Sequence, residues 1–439
     1  MHSCFIYFNM KNKLSAIILS GGRGSRFNNH YYECKVLCNI IDKPLILYTI
    51  NALMANNIFD IYIICNVNNY KFIKEEVGVK AKYFIQKEYS GTGGCLKELI
   101  NNLKEIECEE FLIINGDTPI YDQEVITNLI NKKRISKAQL SFICFKDDVQ
   151  KEYGEIKRVF FKLKVLNQKR SDKKKSKLLN AGVYLINKET LLTNILKIKS
   201  ANHEYGITSL INDCKIKTSY YLYDNKLYGL NYPSDVSLIE DAISSFNIKK
   251  IQHEQDTIFI NKESIIIGSD VKVGRNIIIK SNNIIKGNSI IKDNTIINEN
   301  CIINNAIIGC NSIIGPFAFL RDNIYQDGFN KVGSFIELKN VKLGKYSKIP
   351  HLSYIGDTYI GEQTNVGAGV ITCNYNGKDK SKTTIGNNCF IGSNVNLIAP
   401  IKISDNVYVA AGSTIDKNID KNTFVIERAE PILKENKFK

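Results

Sequence analysis

The sequence of 439 residues contains 12 cysteines but no C-x-x-C pair. Cys34 and Cys38 are separated by three residues and have no second pair nearby, which argues against both a zinc site and a disulfide framework. The sequence also lacks an apolar run of the ~18 residues that a membrane-spanning helix needs. Its first ten residues, MHSCFIYFNM, lack the basic segment and cleavage site of a secretory signal. We therefore expect a soluble, cytoplasmic protein with reduced thiols.

Recognition signals for nucleic acid are missing as well. The net charge of +15 favours anionic partners in general, but no basic segment is interleaved with aromatic residues. The densest basic run, residues 169–177 with the sequence KRSDKKKSK, is typical of a solvated loop. We interpret the charge as a composition rich in lysine and asparagine, and we expect neither a nucleic-acid partner nor a membrane partner.

The sequence does contain a repeat of aliphatic residues with a period of six. This period fits neither a helix nor a long strand, but it fits short strands joined by tight corners, with one aliphatic side chain of each side pointing inward. Asparagine and glycine crowd the neighbouring positions, as expected at corners that need a positive φ. The pattern therefore predicts a parallel β-helix in the C-terminal part of the chain. One run comprises Ile267, Val273, Ile279, Ile285, Ile291, Ile297 and Ile303, it slips by one residue to Ile308 and Ile314, and the other run comprises Ile385, Ile391, Leu397, Ile403, Val409 and Ile415.

The N-terminal half alternates short β-branched runs with helix-like stretches, which predicts a mainly parallel sheet with crossover helices. Ligands of such folds bind at the carboxyl ends of the strands. The segment LSGGRGSRF, residues 19–27, follows the first predicted strand, and its backbone N–H groups together with Arg23, Arg26 and Lys35 are suited to phosphate oxygens. Its spacing fits neither the Rossmann pattern nor the P-loop, so a tight turn without a ligand is an alternative. Asp117 ends a buried predicted strand, where a carboxylate suits Mg²⁺ unless it only forms a turn.

The order of these motifs resembles that of the sugar-1-phosphate nucleotidyltransferases. The further matching segments are Gln86 with GTG at 91–93, INGDTPI at 114–120, YGEI at 153–156, NAGVY at 180–184, EYGIT at 204–208 and GLN at 229–231. In the C-terminal half, HLSYIGD at 351–357 and GAGVITCNYNGKDKSKT at 367–383 resemble one family closely. It is the family of bifunctional N-acetylglucosamine-1-phosphate uridyltransferases and glucosamine-1-phosphate acetyltransferases, and the resemblance extends from Leu14 to about Arg428.

This resemblance implies an α/β nucleotidyltransferase domain, Rossmann-like with a mainly parallel sheet, followed by a left-handed parallel β-helix of hexapeptide repeats. We expect an N-terminal extension at 1–13 with Met10 as an alternative start, a uridyltransferase domain at 14–235, a linker helix at 236–250, and a β-helical acetyltransferase domain with a C-terminal tail at 251–439. The implied assembly is a homotrimer in which each acetyltransferase site borrows groups from neighbouring chains.

In the acetyltransferase half, the resemblance makes His351 the catalytic base. A group with an ordinary pKa of about 6.5 beside Tyr354 is suited to take a proton from an attacking amine. The alternative is a surface or core histidine with no catalytic role. The resemblance assigns the sugar phosphate substrate to Arg321, Lys339, Tyr354, Asn365 and Lys380, the last from a neighbouring chain. It assigns acetyl-coenzyme A to Ala368, Asn374, Tyr375, Ser393, Ala411 and Arg428.

In the uridyltransferase half, the resemblance implies contacts to UTP and the UDP-sugar and a Mg²⁺ site. The nucleotide and sugar residues are Leu19, Gly21, Gly22, Arg26, Lys35, Gln86, Gly91, Thr92, Gly154, Asn180 and Asn231, and the metal ligands are Asp117 and Asn231. Three positions depart from the family pattern. Cys34 replaces a proline before Lys35, Asn115 replaces an aromatic residue, and Glu155 is the only glutamate where the family has a sugar-binding one.

These features predict an enzyme that makes UDP-N-acetylglucosamine for cell-wall and lipopolysaccharide precursors, with acetyl-coenzyme A and UTP as co-substrates and Mg²⁺ as cofactor. Acetyl transfer to glucosamine-1-phosphate comes first, and uridylyl transfer to N-acetylglucosamine-1-phosphate follows. The alternatives are an acetyltransferase with an impaired uridyltransferase half, a nucleotidyltransferase whose β-helix is only structural or regulatory, and a trimeric scaffold or sensor.

Overall fold

The computed structural model describes residues 14–27, 32, 34–148, 153–159, 162–167, 177–198, 205–429 and 431–434. The predicted N-terminal extension and nearly all of the basic run at 169–177 lie outside the described residues. The chain divides into two compact units, Met1–Ala242 and Ile243–Lys439. The boundary falls within the helix Asp235–Glu254, which overlaps the range predicted for a linker helix. In the described part of the chain, no helix is long and apolar enough to cross a membrane.

The first unit is built around a mixed sheet with helices on both faces. Its strands are β1 Leu14–Leu19, β2 Asn39–Ile40, β3 Lys43–Pro44, β4 Ile61–Asn66, β5 Lys82–Gln86, β6 Glu110–Asn115, β7 Leu140–Asp147, β8 Gly154–Val159, β9 Lys162–Asn167, β10 Lys177–Asn187 and β11 Thr218–Tyr223. Its helices are α1 Leu45–Ala55, α2 Tyr70–Val77, α3 Gly91–Glu98, α4 Ile100–Glu105, α5 Glu124–Ser136, α6 Lys188–Asn194, α7 Ser209–Asn212 and the first part of α8 Asp235–Glu254.

The strands of this sheet are mostly parallel, in the order β11-β7-β10-β6-β1-β4-β5. Strand β1 pairs in parallel with β4 and β6, whereas β10 is antiparallel to β6 and β7. Ile17 and Ile18 are both fully buried, yet they belong to different core clusters, so both faces of the sheet are covered. A sheet buried on both faces explains why its strands are continuous apolar runs. The predicted mainly parallel α/β domain is confirmed.

The sheet brings the carboxyl ends of four strands to one edge. Leu19, Asn66, Gln86 and Asn115 are the last residues of β1, β4, β5 and β6, which run parallel to one another. Their side chains and the loops that follow therefore meet at the carboxyl ends of the strands, where ligands of such sheets bind.

The second unit is a parallel β-helix. Its strands are Thr257–Phe259, Ile266–Ile267, Lys272–Val273, Ile277–Ile279, Ile284–Lys286, Ile290–Ile291, Ile296–Ile297, Ile302–Asn304, Ala306–Ile308, Ile313–Ile314, Ala318–Arg321, Ile324–Gln326, Lys331–Leu343, Lys348–Ile360, Asn365–Val366, Ile371–Cys373, Thr383–Ile385, Phe390–Ile391, Asn396–Ile398, Ile401–Ile403, Tyr408–Val409, Thr414–Ile415 and Phe424–Val425. Most of the short strands pair in parallel with the strand three places further along the chain. In this register, Ile278 is opposite Ile296 and Ile284 is opposite Ile302. The chain thus winds in three-sided coils, which confirms the predicted β-helix.

The six-residue spacing places the aliphatic side chains inside the coil. Ile279, Ile285, Ile291, Ile297 and Ile303 all have 0% exposure. Each of them stacks on its counterpart in the next coil, so that a continuous core runs along the axis. Two long strands, Lys331–Leu343 and Lys348–Ile360, continue around the corners.

The outward residues distinguish the three sides of the coil, which we name faces A, B and C. Face A carries the column Ile258, Ile278, Ile296 and Ile313. Face B carries Ile284, Ile302 and Phe319. Face C carries Lys272, Ile290, Ile307, Tyr325 and Lys342.

The corner between faces A and B, called the A–B corner below, needs left-handed backbone. Asn282 and Asn300 have φ values of 58° and 61°, as the asparagine pattern predicts. The next coils place Phe317, Phe335 and Leu352 at the same corner, with φ values of 57°, 60° and 34°. This conformation is strained for bulky residues, but the rings of Phe317 and Phe335 stack on each other at 5.1 Å between centroids.

Candidate active sites

A cavity of about 920 Å³ opens at the carboxyl ends of β1, β4, β5 and β6. The predicted nucleotide and metal residues that line it are Leu19, Gly21, Gly22, Arg26, Lys35, Gln86, Gly91, Thr92, Asp117 and Asn231. Segments far apart in the sequence therefore converge on one space that is large enough for a nucleotide.

Side-chain amides hold the glycine-rich loop in place. Gln86, which is buried, donates from Nε2 to the carbonyl oxygen of Gly21 at 3.0 Å. Asn66 donates from Nδ2 to the carbonyl oxygens of Gly21 and Gly22, at 3.2 Å each. A Cβ on Gly21 would lie 2.3 Å from Cδ and Oε1 of Gln86, so the position requires glycine for this close approach.

An ion pair crosses the floor of the cavity. The Nζ atom of Lys35 lies 2.7 Å from Oδ2 of Asp117, and both side chains are partly buried. The other oxygen of this carboxylate, Oδ1, and the side-chain amide of Asn231 both lie beside Gly229. A Cβ at Gly229 would lie 3.4 Å from Oδ1 and 3.8 Å from Nδ2 of Asn231.

Asp117 and Asn231 fit a magnesium ion that takes some of its ligands from the protein and the others from a nucleotide and water. In the described residues, no group of three or more His, Cys, Asp or Glu side chains could hold a metal. Asp117 and Asn231 supply one carboxylate and one amide oxygen, which are the hard oxygen donors that Mg²⁺ prefers. Because Mg²⁺ in phosphoryl-transfer sites takes its remaining ligands from phosphates and water, two protein donors suffice.

The two predicted sugar residues lie next to each other, beside the residues that line this cavity. A Cβ on Gly154 would lie 3.7 Å from Cβ of Asn180. Asn180 donates from Nδ2 to the hydroxyl oxygen of Tyr184 at 2.6 Å. Asn115 links these residues to the cavity. It lines the cavity, and its Nδ2 atom would lie 2.4 Å from a Cβ on Gly182, whose backbone N–H donates to Oδ1 of Asn180 at 3.3 Å.

Two of the three positions that depart from the family pattern, Cys34 and Asn115, line the cavity. The Oδ1 atom of Asn115 is buried and has no hydrogen-bond partner in the described part of the protein. Glu155 pairs with Leu179 in the backbone register and its carboxylate lies 3.5 Å from Nζ of Lys157.

Sequence reasoning missed an asparagine cluster on the rim of the cavity. Asn66 and Asn69 each accept a backbone N–H of the other at 2.9 Å, and Asn69 donates to the carbonyl oxygen of Ser20 at 2.7 Å. The signal was the segment NVNN at 66–69, which begins with the last residue of β4, at the edge where ligands bind. Arg23 was singled out only for its charge, and its guanidinium lies 4.5 Å from the ring centroid of Tyr89.

In the β-helix, cations accumulate on neighbouring coils. Arg321 is opposite Lys339 in the strand register, and Lys339 is opposite Gly356 on the next coil. Arg321 is held by Glu337, with Nη2 and Nε at 2.7 and 3.0 Å from Oε1. The side-chain contact with Lys339 and the charge of its ammonium group lower the pKa of Lys380, and the nearby carboxylate of Asp357 opposes this shift.

Asp357 belongs to the same cluster. Burial alone would raise the pKa of its carboxyl group, but hydrogen bonds from Asn340 at 2.7 Å and Asn374 at 2.6 Å and the charges of Lys339 and Lys380 lower it. Two ammonium groups against one carboxylate leave an excess of positive charge, which suits a phosphate ligand.

Lys380, which the resemblance assigns to the site of a neighbouring chain, interacts with Lys339 within its own chain. Its loop is closed as a hairpin, because Tyr375 and Lys380 form a β-bridge and Ser381 N donates to the carbonyl oxygen of Asn374 at 2.8 Å.

His351 lies at the A–B corner. It is exposed, it is opposite Ser334 in the strand register, and its carbonyl oxygen accepts a hydrogen bond from Oγ of Ser353 at 3.0 Å. Tyr354 follows on face B, and a Cβ at Gly356 would lie 2.6 Å from its hydroxyl and 2.8 Å from Nδ2 of Asn374. Asn365 is on face A, paired with Lys348 and Phe390.

The predicted coenzyme residues continue along the same corner. The carbonyl oxygen of Ala368 accepts from Asn394 N at 2.7 Å, and that of Ser393 accepts from Gly412 N at 2.8 Å, which places these residues on successive coils. Arg428 donates from Nε to the carbonyl oxygen of Ala411 at 2.9 Å. Tyr375 is exposed in the adjacent loop. Small residues thus line the corner from His351 towards Arg428 and leave room for an extended ligand.

The model of the nucleotidyl transferase family matches residues 15–236, and that of the bacterial transferase hexapeptide, six repeats, matches residues 382–417. The bifunctional protein GlmU of Carboxydothermus hydrogenoformans is 30% identical over 456 aligned residues, which cover 96% of this chain and 99% of the relative. The bifunctional protein GlmU of Campylobacter jejuni subsp. jejuni serotype O:6 is 33% identical over 431 aligned residues, which cover 95% and 96%. Similarity to these relatives therefore includes both halves of the chain.

Proposed function

The chain belongs to the family of the bifunctional GlmU proteins, and on this premise we propose that it makes UDP-N-acetylglucosamine in two steps. The observation that carries the proposal is the match to these relatives over nearly the full length of the chain, across both of its units. The chain is an acetyltransferase and a uridyltransferase. Acetyl transfer to glucosamine-1-phosphate precedes uridylyl transfer to N-acetylglucosamine-1-phosphate, and the product serves cell-wall and lipopolysaccharide synthesis.

In the acetyltransferase site, His351 acts as the general base. It takes a proton from the amine of glucosamine-1-phosphate while the amine nitrogen attacks the thioester carbonyl of acetyl-coenzyme A, and coenzyme A leaves as the thiol. Arg321, Lys339 and Lys380 hold the sugar phosphate. Lys339 and Lys380 together exceed the charge of Asp357 by one, and Arg321, which is paired with Glu337 and Asp322, adds guanidinium N–H donors. Tyr354 and Asn365 orient the sugar. The small residues of the A–B corner hold the pantetheine arm, which approaches the coil closely where no large side chain intervenes.

In the uridyltransferase site, the chain positions UTP and N-acetylglucosamine-1-phosphate, both of them anions, for in-line attack. Gln86, Gly91 and Thr92 contact the uracil, the glycine-rich loop and Arg26 contact the phosphates, and Gly154 and Asn180 contact the sugar. The sugar phosphate oxygen attacks the α-phosphorus of UTP, and pyrophosphate leaves. Lys35 offsets negative charge on the phosphates. Asp117 and Asn231 would hold Mg²⁺, which supplies further charge neutralisation when it is bound.

The surface of the β-helix supports a homotrimer. Exposed apolar side chains lie on faces A and B, as at Ile258, Ile313 and Phe319, and Phe335 protrudes from the corner between them. The same columns continue with charged residues, Lys331 on face A and Glu337 on face B. A twofold dimer uses one surface patch twice, whereas a closed ring uses two different patches. Apolar patches on two adjacent faces fit a closed ring, and in the homotrimer that the family resemblance implies, His351 at the corner between these faces lies near a neighbouring chain.

A cytoplasmic location is part of the proposal, because the cysteine spacing predicts no disulfide framework. The nucleotide and thioester co-substrates are also products of cytoplasmic metabolism.

The proposal is tested by assaying the two half-reactions of the purified protein separately. We expect coenzyme A release from acetyl-coenzyme A with glucosamine-1-phosphate, and pyrophosphate release from UTP with N-acetylglucosamine-1-phosphate and Mg²⁺. Acetyl transfer without pyrophosphate release would indicate an impaired uridyltransferase half. The reverse result would indicate a β-helix with only a structural or regulatory role, and inactivity in both assays would favour a scaffold.

A further inference from the structure

The segment Gly229–Asn231 carries the proposed metal ligand Asn231 and has no regular secondary structure of its own. Three of its backbone N–H groups donate hydrogen bonds that hold it, and the Tyr153 hydroxyl also donates a longer one, at 3.5 Å, to the carbonyl oxygen of Gly229. Leu230 N donates to the carbonyl oxygen of Asp117 at 2.9 Å, and Asn231 N donates to Oδ2 of Asp235 at 2.8 Å. The third bond runs from Gly229 N to the hydroxyl oxygen of Tyr153 at 2.8 Å. The position of Asn231 relative to Asp117 therefore depends on these three contacts.

The contact from Tyr153 differs from the other two because it comes from the sugar side of the site. Tyr153 directly precedes Gly154, the first residue of β8 and one of the two proposed sugar contacts. Leu230 is bonded to the strand end that bears Asp117, and Asp235 begins the helix that follows the segment. Only the Tyr153 bond, among these three, joins the proposed sugar-binding strand to the proposed metal-binding segment.

The Tyr153 ring is fixed by two aromatic neighbours. Its centroid lies 5.9 Å from that of Phe145, edge to face, and 6.5 Å from that of Tyr228. Burial raises the pKa of Tyr153, so its hydroxyl stays protonated at physiological pH. A phenol held by packing on both sides loses little further freedom when its oxygen accepts the Gly229 N–H.

Tyr228 provides a matched comparison within the same cluster. Its ring lies 5.7 Å from Phe145, also edge to face. Its hydroxyl donates to Oδ2 of Asp147 instead, and Lys226 Nζ lies 3.1 Å from the same oxygen. Removing the hydroxyl of Tyr228 thus deletes the same atom from the same cluster, but it leaves the bond to Gly229 intact.

We propose that Tyr153 is a positioning residue for uridylyl transfer, whose hydroxyl holds Gly229 so that Asn231 faces Asp117 while Gly154 faces the sugar. The proposal rests on the uridyltransferase function proposed above. Tyr153 contacts neither the nucleotide nor the metal in this scheme. It acts through the backbone of the Gly229–Asn231 segment.

The test compares Tyr153→Phe with Tyr228→Phe in the full-length protein. We expect Tyr153→Phe to weaken Mn²⁺ binding in the presence of UTP roughly tenfold, as measured by electron paramagnetic resonance, because partners that orient metal ligands typically contribute 10- to 100-fold. Amide hydrogen exchange of residues 229–232 should accelerate by a similar factor. Exchange in the core strand β6 should stay at the wild-type rate, and Tyr228→Phe should leave both readouts of the segment unchanged.

In turnover, Tyr153→Phe should lower kcat of uridylyl transfer roughly tenfold with little change in the KM for UTP, because the groups that contact the base and phosphates are untouched. Equal Mn²⁺ affinities and exchange rates in the two variants would overturn the proposal. Faster exchange throughout β6 would also overturn it, since Tyr153 would then stabilise the whole domain. Absence of uridylyl transfer in the wild type would contradict the proposed function, while the exchange comparison would still decide the positioning role.

Discussion

The close approach of Gln86 to Gly21 predicts the effect of adding a single methyl group to the nucleotide loop. In Gly21→Ala, the new Cβ would lie 2.3 Å from Cδ and Oε1 of Gln86 and 2.8 Å from Nε2. These distances are too short for any real contact, so the Gln86 side chain must rotate and give up its 3.0 Å bond to the Gly21 carbonyl oxygen. Gln86 is buried, and a buried amide that loses its partner costs about 2 kcal/mol.

UTP must restore the original position of Gln86 when it binds, so that free energy is lost from binding and lowers kcat/KM for UTP roughly 30-fold. The preference for UTP over CTP should fall as well, because Gln86 no longer faces the base. The assay is pyrophosphate release at varied UTP and CTP. Gly22→Ala adds the same methyl group where a Cβ has no neighbour within 4 Å among the described residues, so its preference for UTP should persist. Acetyl transfer should be normal in both variants. If Gly21→Ala keeps the wild-type preference for UTP, then Gln86 does not read the base and the reasoning is refuted.

Three further predictions follow from the two sites. His351→Ala should lower acetyl transfer by roughly 10² to 10⁴, the usual contribution of a general base, and spare uridylyl transfer; near-normal acetylation would remove the proposed mechanism. Asp117→Ala should abolish formation of the UDP-sugar and leave acetylation intact, and a variant that still releases pyrophosphate would exclude Asp117 as a metal ligand. Because Lys339 lowers the pKa of Lys380, the alkaline limb of kcat/KM for glucosamine-1-phosphate should begin below the ordinary lysine range, as Lys380 loses its proton and its hold on the phosphate. Lys339→Gln should move that limb to higher pH, and an unchanged limb would show that Lys380 does not bind the phosphate.

The parts of the fold that follow from local repetition could be predicted from the sequence. An aliphatic residue at every sixth position specifies an inward-facing site on each side of a coil, as Ile291 and Ile297 show with 0% exposure. The carboxyl ends of parallel strands must meet at one edge, so Asp117 and the glycine-rich loop were placed correctly together in one cavity. The sequence motifs also identified Gln86 and Asn231 as residues that line it.

The parts that depend on contacts between distant segments could not be predicted. The bond between Tyr153 and Gly229 joins residues that no local pattern relates. Phe317 and Phe335 occupy corner positions for which the pattern predicts asparagine or glycine, because stacking between successive coils offsets a backbone conformation that is unfavourable for each residue alone. The β-bridge between Tyr375 and Lys380 likewise lies in an insertion that has no periodicity.

The central claim, that one chain carries out both steps, is tested most directly by supplying purified protein with glucosamine-1-phosphate, acetyl-coenzyme A, UTP and Mg²⁺ and identifying the products by mass spectrometry over time. The account predicts that N-acetylglucosamine-1-phosphate appears first and is converted to UDP-N-acetylglucosamine, and that omitting acetyl-coenzyme A prevents both. Accumulation of N-acetylglucosamine-1-phosphate with no UDP-sugar, or formation of a UDP-sugar from unacetylated glucosamine-1-phosphate, would contradict it.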